Sequence, residues 1–298
     1  MQLRIRDLSK RYANGVQALN QVSLDIAPGM FGLLGPNGAG KSTLMRTLAT
    51  LQQADGGSAT LGDIDLLREP GRAREVLGYL PQDFGVYPKV SALDLLDHLA
   101  RLKGYAESGP RRATVEALLQ RVNLYEVRKQ KLGGFSGGMR QRFGIAQALL
   151  GAPRLIIVDE PTAGLDPEER VRFHNLLADI AQDVVVILST HIVDDVSDLC
   201  SRLAIINKGR VLLSGEPAAL VESVRGRIWR KVADKGEVEA LKAGAPVIST
   251  RLSAGRTLVR ACADAAPGAG FEAAEADLED VYFSAIAGHL APAPALAA

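Results

Sequence analysis

Cysteine is scarce in this sequence, and neither sign of charge is in excess. The 298 residues include two cysteines, Cys200 and Cys262, whose separation matches no metal-binding or redox motif. We therefore expect both to be reduced bystanders, as in a cytosolic compartment. Lysine and arginine together number 35, and aspartate and glutamate 34. This balance predicts neither nucleic acid nor an acidic molecule as the partner.

Long apolar runs are also missing. The longest of them, such as Val184–Leu188, fall far short of the ~20 apolar residues that a membrane-spanning helix needs. Residues 1–6 alternate between apolar and polar side chains as a strand does, and they show no signal-peptide core. Any role at a membrane is therefore expected to depend on a partner protein.

A glycine-rich segment, residues 35–43, fits the phosphate-binding pattern G-x-x-x-x-G-K-[ST]. The apolar run Met30–Leu34 before it predicts a buried strand, and leucines at helical spacing follow it. In this setting the glycines let backbone N–H groups surround phosphate oxygens, and the helix directs its positive end at the same anion. The residues predicted to hold a nucleoside triphosphate are Gly35, Pro36, Asn37, Gly38, Ala39, Gly40, Lys41, Ser42 and Thr43.

Two carboxylates follow a second buried strand, predicted at Leu155–Val158. In the P-loop pattern Lys41 reaches the β- and γ-phosphates and the Ser42 hydroxyl binds Mg²⁺. A carboxylate at a strand end also suits Mg²⁺, so Asp159 is a predicted ligand. Glu160 is placed to polarise a water aimed at the γ-phosphate. A solvated acidic strand end is the plainer alternative, but a P-loop nearby favours the functional interpretation.

The order of the predicted elements indicates an α/β fold, a P-loop NTPase core with a parallel sheet. Alternating residues near the N-terminus predict an antiparallel β subdomain, and helical periodicity predicts a helical subdomain inserted at about residues 89–150. A hairpin and a helix after the core predict a small α+β C-terminal appendage. The predicted division is 1–218 for the ATPase domain, 219–290 for the appendage and 291–298 for a flexible tail.

Local signals mark the starts of several predicted helices. Ser91 and Asp94 have the spacing of a capping box, and Pro110 suits the first position of the next helix. Asp166 precedes a proline and an acidic turn, a pattern typical of a helix start, and Asp277 is predicted to cap the last helix.

Ser136, Gly137 and Gly138 precede a further predicted helix. The simple interpretation is that Ser136 caps this helix. Two glycines behind a cap weaken a helix, however, and expose backbone amides at an end that attracts anions. Because one nucleotide needs only one P-loop, a second anion site suggests that two copies of the chain share the ligand.

Over roughly residues 1–218 these segments resemble the nucleotide-binding subunit of an ATP-binding cassette (ABC) transporter. The signature segment departs from the commonest form, since Phe135 and Met139 stand where leucine and glutamine are usual. Ser136 and its glycines are retained. The matching segments are Walker A at 35–43, the Q-loop Gln82, the signature Phe135–Gln141, Walker B at Leu155–Glu160, the D-loop Ala163–Asp166 and the switch His191.

The resemblance implies a head-to-tail dimer that encloses two ATP molecules. Each ATP would lie between Walker A of one copy and the Ser136–Gly138 segment of the other. Glu160 would be the general base, and His191 would keep it in register with the γ-phosphate. Gln82 would contact Mg²⁺ or the attacking water, as a third metal-site residue beside Ser42 and Asp159.

Two assignments keep a structural alternative. Tyr12 stands where the family stacks an aromatic ring on adenine, although alone it reads as an ordinary strand tyrosine. Asp166 is equally well explained as a helix cap and as a nucleotide-site residue. Lys41, Asp159, Glu160 and His191 are all present, which argues against a catalytically idle regulator.

The implied partners are ATP, an integral membrane permease and a second copy of the chain or a homologous ATPase subunit. The expected location is therefore the cytoplasmic face of a membrane, with the permease as the anchor. Phe84 and Tyr87, near the Q-loop, are candidate permease contacts. Leu278–Phe283 is similar to a C-terminal segment of drug-export ATPases and favours export.

The main alternative is a soluble ABC-type ATPase that acts on nucleic acid or ribosomes. Repair-type members contain long coiled coils, and no sustained heptad run is present here. Ribosomal factors usually carry two cassettes, whereas this sequence has one, so nucleic acid is not expected as a partner. A basic cluster around Trp229 is read as a solvated strand face rather than a lipid contact; it comprises Arg225, Arg227, Arg230 and Lys231.

Overall fold

The computed structural model describes residues 1–82, 84–162, 164–234, 236–253 and 255–290. The predictions made for Ala163, in the D-loop, and for the tail 291–298 lie outside these residues. The strands are β1 (Leu3–Arg11), β2 (Gln17–Ile26), β3 (Gly29–Leu34), β4 (Gly56–Leu61), β5 (Ile64–Asp65), β6 (Leu77–Leu80), β7 (Leu155–Asp159), β8 (Val185–Thr190), β9 (Arg202–Asn207), β10 (Arg210–Gly215), β11 (Ile228–Ala233), β12 (Val247–Ser253), β13 (Arg256–Cys262) and β14 (Glu272–Ala273). The helices are α1 (Lys41–Leu48), α2 (Pro70–Glu75), α3 (Ala92–Leu102), α4 (Ser108–Arg121), α5 (Gly137–Ala148), α6 (Pro167–Ile180), α7 (Val193–Leu199), α8 (Pro217–Glu222), α9 (Val238–Gly244) and α10 (Leu278–Ile286).

The N-terminal strands form an antiparallel sheet in the order β2-β1-β4-β5. The alternation seen in the sequence is explained by the register, since Leu3 pairs with Ile26 and Ile5 with Leu24, all of them buried. Gly15, at the turn between β1 and β2, has a φ of 87°, a conformation that glycine adopts without steric cost.

The central sheet has the order β10-β9-β3-β8-β7-β6 within the described residues. Five strands of this sheet run parallel to one another: β6, β7, β8, β3 and β9. The edge strand β10 pairs antiparallel with β9. The parallel register aligns Leu34 with Thr190 and Asp159 with Ser189. Because Leu34, Asp159 and Thr190 end their strands, the segments that follow β3, β7 and β8 meet at the carboxyl ends of the parallel strands.

Helices α3, α4 and α5 lie between β6 and β7 in the sequence. They share one apolar core with the central sheet. Ser91 caps α3 as predicted, because its side chain accepts from the Asp94 N–H; the Asp94 carboxylate accepts from the Ser91 hydroxyl, not from a backbone N–H. The prediction for Pro110 was wrong. α4 begins at Ser108, so Pro110 is the third helical residue, where its missing N–H has no intrahelical acceptor to lose.

The C-terminal strands form a separate sheet in the order β12-β13-β11-β14. The last helix, α10, has a complete capping box between Asp277 and Asp280. Asp280 is buried and bonded to Arg260 of β13, which ties the helix to this sheet. Ile228, Cys262 and Val281 belong to the same buried core as the central sheet, so the appendage is packed against the nucleotide-binding core. No helix in the described part of the chain is long and apolar enough to cross a membrane.

Candidate active site

The predicted phosphate loop connects β3 to α1 at the edge where the parallel strands end. Gly40 precedes α1 with a φ of 109°, and a Cβ there would overlap the carbonyl oxygen of Ala18. A Cβ on Gly35 would overlap the carbonyl oxygen of Ile206. Both positions therefore exclude side chains on grounds of space, and Gly40 also on grounds of backbone conformation. The loop is left with backbone N–H groups and the N-terminus of α1 as its binding groups.

Lys41 is the buried cation of this loop, with 5% of the residue exposed. Its Nζ donates to the Gly35 carbonyl at 2.6 Å and lies 3.8 Å from Glu160 Oε1. Burial lowers the pKa of Lys41, while the nearby carboxylates of Glu160 and Asp159 act in the opposite direction. The ammonium is therefore held in the loop by the Gly35 carbonyl and the Glu160 carboxylate, and a bound phosphate could take their place as its partner.

Asp159 ends β7 as a buried carboxylate. Burial raises its pKa, and the hydroxyls of Ser189 and Ser42 and the charge of Lys41 oppose that rise. Its Oδ1 has no hydrogen-bond partner among the residues that the structure describes. A buried, unpaired carboxylate oxygen beside the Ser42 hydroxyl fits a divalent cation that prefers oxygen ligands.

Glu160 is the residue around which the predicted site assembles. Gln82 Nε2 donates to Glu160 Oε2 at 3.2 Å, and His191 Nδ1 lies 3.4 Å from Oε1. Glu160 has a φ of 45°, which is uncommon for a residue other than glycine, and its N–H donates to the Ser189 carbonyl. With this backbone turn, the side chains of the adjacent residues Glu160 and Asp159 have different partners. The structure thus brings Lys41, Gln82 and His191 to one carboxylate.

Tyr12 follows β1 and is 38% exposed beside the phosphate loop. Its hydroxyl lies 3.1 Å from Thr43 Oγ1 and donates to Gln52 Oε1 at 3.2 Å. Gln52 Nε2 in turn donates to the carbonyl of Thr43 and to the Thr47 hydroxyl. The ring is therefore anchored to α1 by its hydroxyl while part of its surface faces solvent.

We expect Tyr12→Ala to weaken the binding of ATP more than the binding of inorganic triphosphate, because only ATP has an adenine to stack on the ring. The expected loss is about 5- to 150-fold, since stacking of a base on an aromatic side chain contributes ~1–3 kcal/mol. Tyr12→Phe keeps the ring but removes the anchor, so its loss should be smaller. Titration calorimetry with both ligands measures these differences. An equal loss of the two ligands in Tyr12→Ala would contradict adenine stacking.

The signature segment lies on the helical block, away from the groups just described. Ser136 caps α5 by accepting from the Met139 N–H at 3.1 Å, and Ser136 and Gly137 are exposed. A Cβ on Gly138 would overlap the carboxylate of Glu169 in α6. In the described ranges no hydrogen bond or ion pair joins Ser136–Gly138 to Lys41 or Glu160.

Asp166 caps α6, since its Oδ1 accepts from the Glu169 N–H at 2.9 Å. The residue is exposed, as is Gly164. The helix-cap interpretation is confirmed.

A buried aspartate beside the site was missed by the reading of the sequence. Asp195 lies in α7, next to the loop of His191, and is bonded to four residues from three other segments. An acidic residue four positions after His191 was the only available signal, and it resembles a solvated helix residue.

The family profile described as "ABC transporter" matches residues 19–163. The chain is 38% identical over 197 residues to the probable multidrug ABC transporter ATP-binding protein YbhF of Escherichia coli, a match that covers 66% of this chain and 34% of YbhF. It is 32% identical to the uncharacterized ABC transporter ATP-binding protein YxlF of Bacillus subtilis over 95% of this chain and 99% of YxlF. The chain therefore spans about a third of the length of YbhF and nearly all of YxlF.

A solved structure gives the corresponding match in three dimensions. It is the dimeric, post-hydrolysis state of the ATP-binding cassette MJ0796 bound to ADP and Pi. The TM-score is 0.65 at 25% sequence identity, and the match covers 72% of this chain and 98% of the cassette.

Proposed function

This chain belongs to the family of ABC transporter ATP-binding proteins, and we propose on that basis that it hydrolyses ATP to drive export through a separate membrane permease. The observation that carries the proposal is the Glu160 carboxylate, which Lys41, Gln82 and His191 surround at the end of the phosphate loop. YbhF, whose name is that of a probable multidrug transporter subunit, supports export as the direction. The Leu278–Phe283 segment favours the same direction.

In the proposed reaction Lys41 and the backbone N–H groups of the loop hold the β- and γ-phosphates. Asp159 and Ser42 would hold Mg²⁺, which neutralises charge on the phosphate oxygens. Glu160 accepts the proton of the water that attacks the γ-phosphate. His191, 51% exposed at its side chain, is free to reach that phosphate while it contacts Glu160.

The exposed signature segment supports a two-copy site. Ser136 and Gly137 present hydroxyl and backbone groups at the N-terminus of α5, where an anion is stabilised. They form no described contact with the phosphate loop of their own chain. We infer that a second copy, or a homologous subunit, places this segment over the ATP held by Lys41.

The permease is proposed to bind beside β6, the strand that leads to Gln82. β6 is an edge strand, and a groove of about 960 Å³ runs along it, lined by residues that include Tyr79, Leu102 and Tyr105. Tyr87 is 67% exposed near the same segment. The ring of Phe84 packs so closely on α5 that a Cβ on Gly144 would overlap it. Tyr87 is therefore the better candidate contact of the two.

The test is recovery of the tagged chain in mild detergent, followed by mass spectrometry of the proteins that accompany it. We expect a polytopic membrane protein in stoichiometric amount. Tyr87→Ala should reduce its recovery several-fold without changing ATP affinity, because the side chain has no described contact with the phosphate loop. Leu252→Ala, which alters an 80% exposed side chain on β12, is the matched control. Recovery of soluble partners alone, or of nucleic acid, would overturn transport and leave the ATP chemistry standing.

A further inference from the structure

Asp195, in α7, is 0% exposed and accepts hydrogen bonds on both carboxylate oxygens. Oδ2 accepts from the hydroxyls of Thr162 at 2.7 Å and Thr190 at 3.2 Å. Oδ1 accepts from Arg170 Nε at 2.8 Å and lies 2.9 Å from His174 Nε2. The two oxygens therefore face different parts of the molecule: one faces the segment after β7 and the last residue of β8, and the other faces α6.

The Oδ2 side joins the two segments that carry the proposed chemistry. Thr162 is two residues after Glu160, and Thr190 immediately precedes His191. The Thr190 hydroxyl also accepts from the Ile192 N–H at 3.0 Å, so one side chain connects the backbone after His191 to the carboxylate of Asp195.

Arg170, which contacts Oδ1, supplies the positive charge that a buried carboxylate needs. Arg170 approaches Asp195 with two nitrogens, the second at 2.7 Å. Its guanidinium belongs to α6, the helix that Asp166 caps. The Asp195 carboxylate thus connects Arg170, near the start of α6, to Thr162 and Thr190.

We propose that Asp195 is a positioning residue for ATP hydrolysis, whose carboxylate sets the spacing between Glu160 and His191 by holding Thr162 and Thr190 on one oxygen. The inference rests on the proposed function, because it assigns Asp195 to that reaction. Asp195 has no described contact with Lys41, Ser42 or Tyr12, the groups that would bind ATP. Its effect should therefore fall on kcat and leave nucleotide affinity unchanged.

The first test replaces Thr190, because valine has nearly the same shape and leaves the Asp195–Arg170 ion pair in place. Thr190→Val removes the bond to Asp195 and the acceptor for the Ile192 N–H. We expect kcat to fall at least 10-fold, with KM for ATP within twofold of wild type. Thr190→Ser restores the hydroxyl and should recover most of kcat. A folded Thr190→Val with unchanged kcat, or with kcat and ATP affinity reduced in parallel, would overturn the proposal.

Asp195→Asn tests the carboxylate itself. An amide presents one acceptor and one donor group, so it cannot accept from the threonines and from Arg170 at once. We expect the same fall in kcat at unchanged KM. Asp198→Asn makes the same change at an exposed position of the same helix and should leave kcat at the wild-type value.

A spectroscopic measurement separates this proposal from the function on which it rests. The sequence has four histidines, so ¹⁵N labelling of histidine gives ring signals for His98, His174, His191 and His289. In Thr190→Val we expect the His191 signals to shift while those of His98 and His289 stay in place. Absence of ATP hydrolysis in the wild type would refute the proposed function, whereas the His191 signals would still test whether Asp195 sets the position of His191. Unshifted His191 signals would refute the positioning role.

Discussion

Glu160→Gln is expected to slow ATP hydrolysis by roughly 10²- to 10⁴-fold, the range that general acid–base catalysis contributes, while ATP binding is retained. Glutamine keeps the size of the side chain but has no basic oxygen to accept the proton of the attacking water. The phosphate loop, Lys41 and Asp159 are unchanged, so the ATP-bound state should accumulate. Phosphate release measures kcat, and size-exclusion chromatography with ATP detects the trapped dimer.

The matched control for this change is Glu168→Gln. Glu168 lies in the first turn of α6, with 75% of its side chain exposed, and pairs with Arg172 at the surface. Its replacement should leave hydrolysis and dimer formation as in the wild type. Rapid turnover by Glu160→Gln would remove Glu160 as the base, and the carboxylate would then keep only a part in positioning Gln82 and His191.

Lys41→Ala is expected to weaken ATP binding by about 10- to 150-fold, because a hydrogen bond to a charged group contributes ~1.5–3 kcal/mol. The loss should extend to inorganic triphosphate, since Lys41 faces phosphate and not the base. This result would distinguish Lys41 from Tyr12, whose loss should be specific for ATP. Titration calorimetry at fixed Mg²⁺ gives both affinities, and unchanged ATP binding would contradict the phosphate assignment.

Lys103 offers a control with a similar environment. Its ammonium donates to the carbonyls of Arg74 and Leu77, and burial lowers its pKa as it does for Lys41. Lys103 is the C-cap residue of α3 and has no described contact with the phosphate loop. Lys103→Ala should therefore leave ATP affinity unchanged, even if the free energy of unfolding falls.

The lowered pKa of Lys41 also predicts how ATP affinity depends on pH. Below the pKa of the folded protein the ammonium is present and attracts phosphate; as pH rises through that value the charge is lost. Affinity in the wild type should therefore begin to fall at a lower pH than an ordinary lysine would allow. Lys41→Ala should lack this decline, which a pH series of the same titration measures.

Signals that lie within a few residues of one another allowed correct predictions. Asp166 and Asp277 were recognised as caps because a capping side chain bonds to a backbone N–H three residues away. The phosphate loop was recognised for the same reason, since its strand, glycines, lysine and helix are contiguous. The basic residues around Trp229 were interpreted as a solvated strand face, and they do lie on or beside the strand β11. Arg230 does pair at the surface, but its partner Glu272 is 42 residues distant.

The cluster around Glu160 could not be predicted from local sequence patterns. Gln82 contacts Glu160 across 78 residues of sequence, and no periodicity or spacing connects them; only resemblance to a family placed Gln82 and His191 in the site. Their actual proximity follows from the register of the parallel sheet, which aligns Leu80 of β6 with Val158 of β7 and Asp159 of β7 with Ser189 of β8.

The contiguous sequence was thus enough to establish the P-loop, the α/β class and several helix starts, because backbone conformation and capping depend on neighbouring residues. The role of Asp195 depended on folding. Its carboxylate is bonded to Thr162, Arg170, His174 and Thr190, which three different segments supply. A carboxylate of α7 reads as solvated in the sequence, and it becomes a buried junction only when the sheet and α6 exclude water around it and provide a compensating charge.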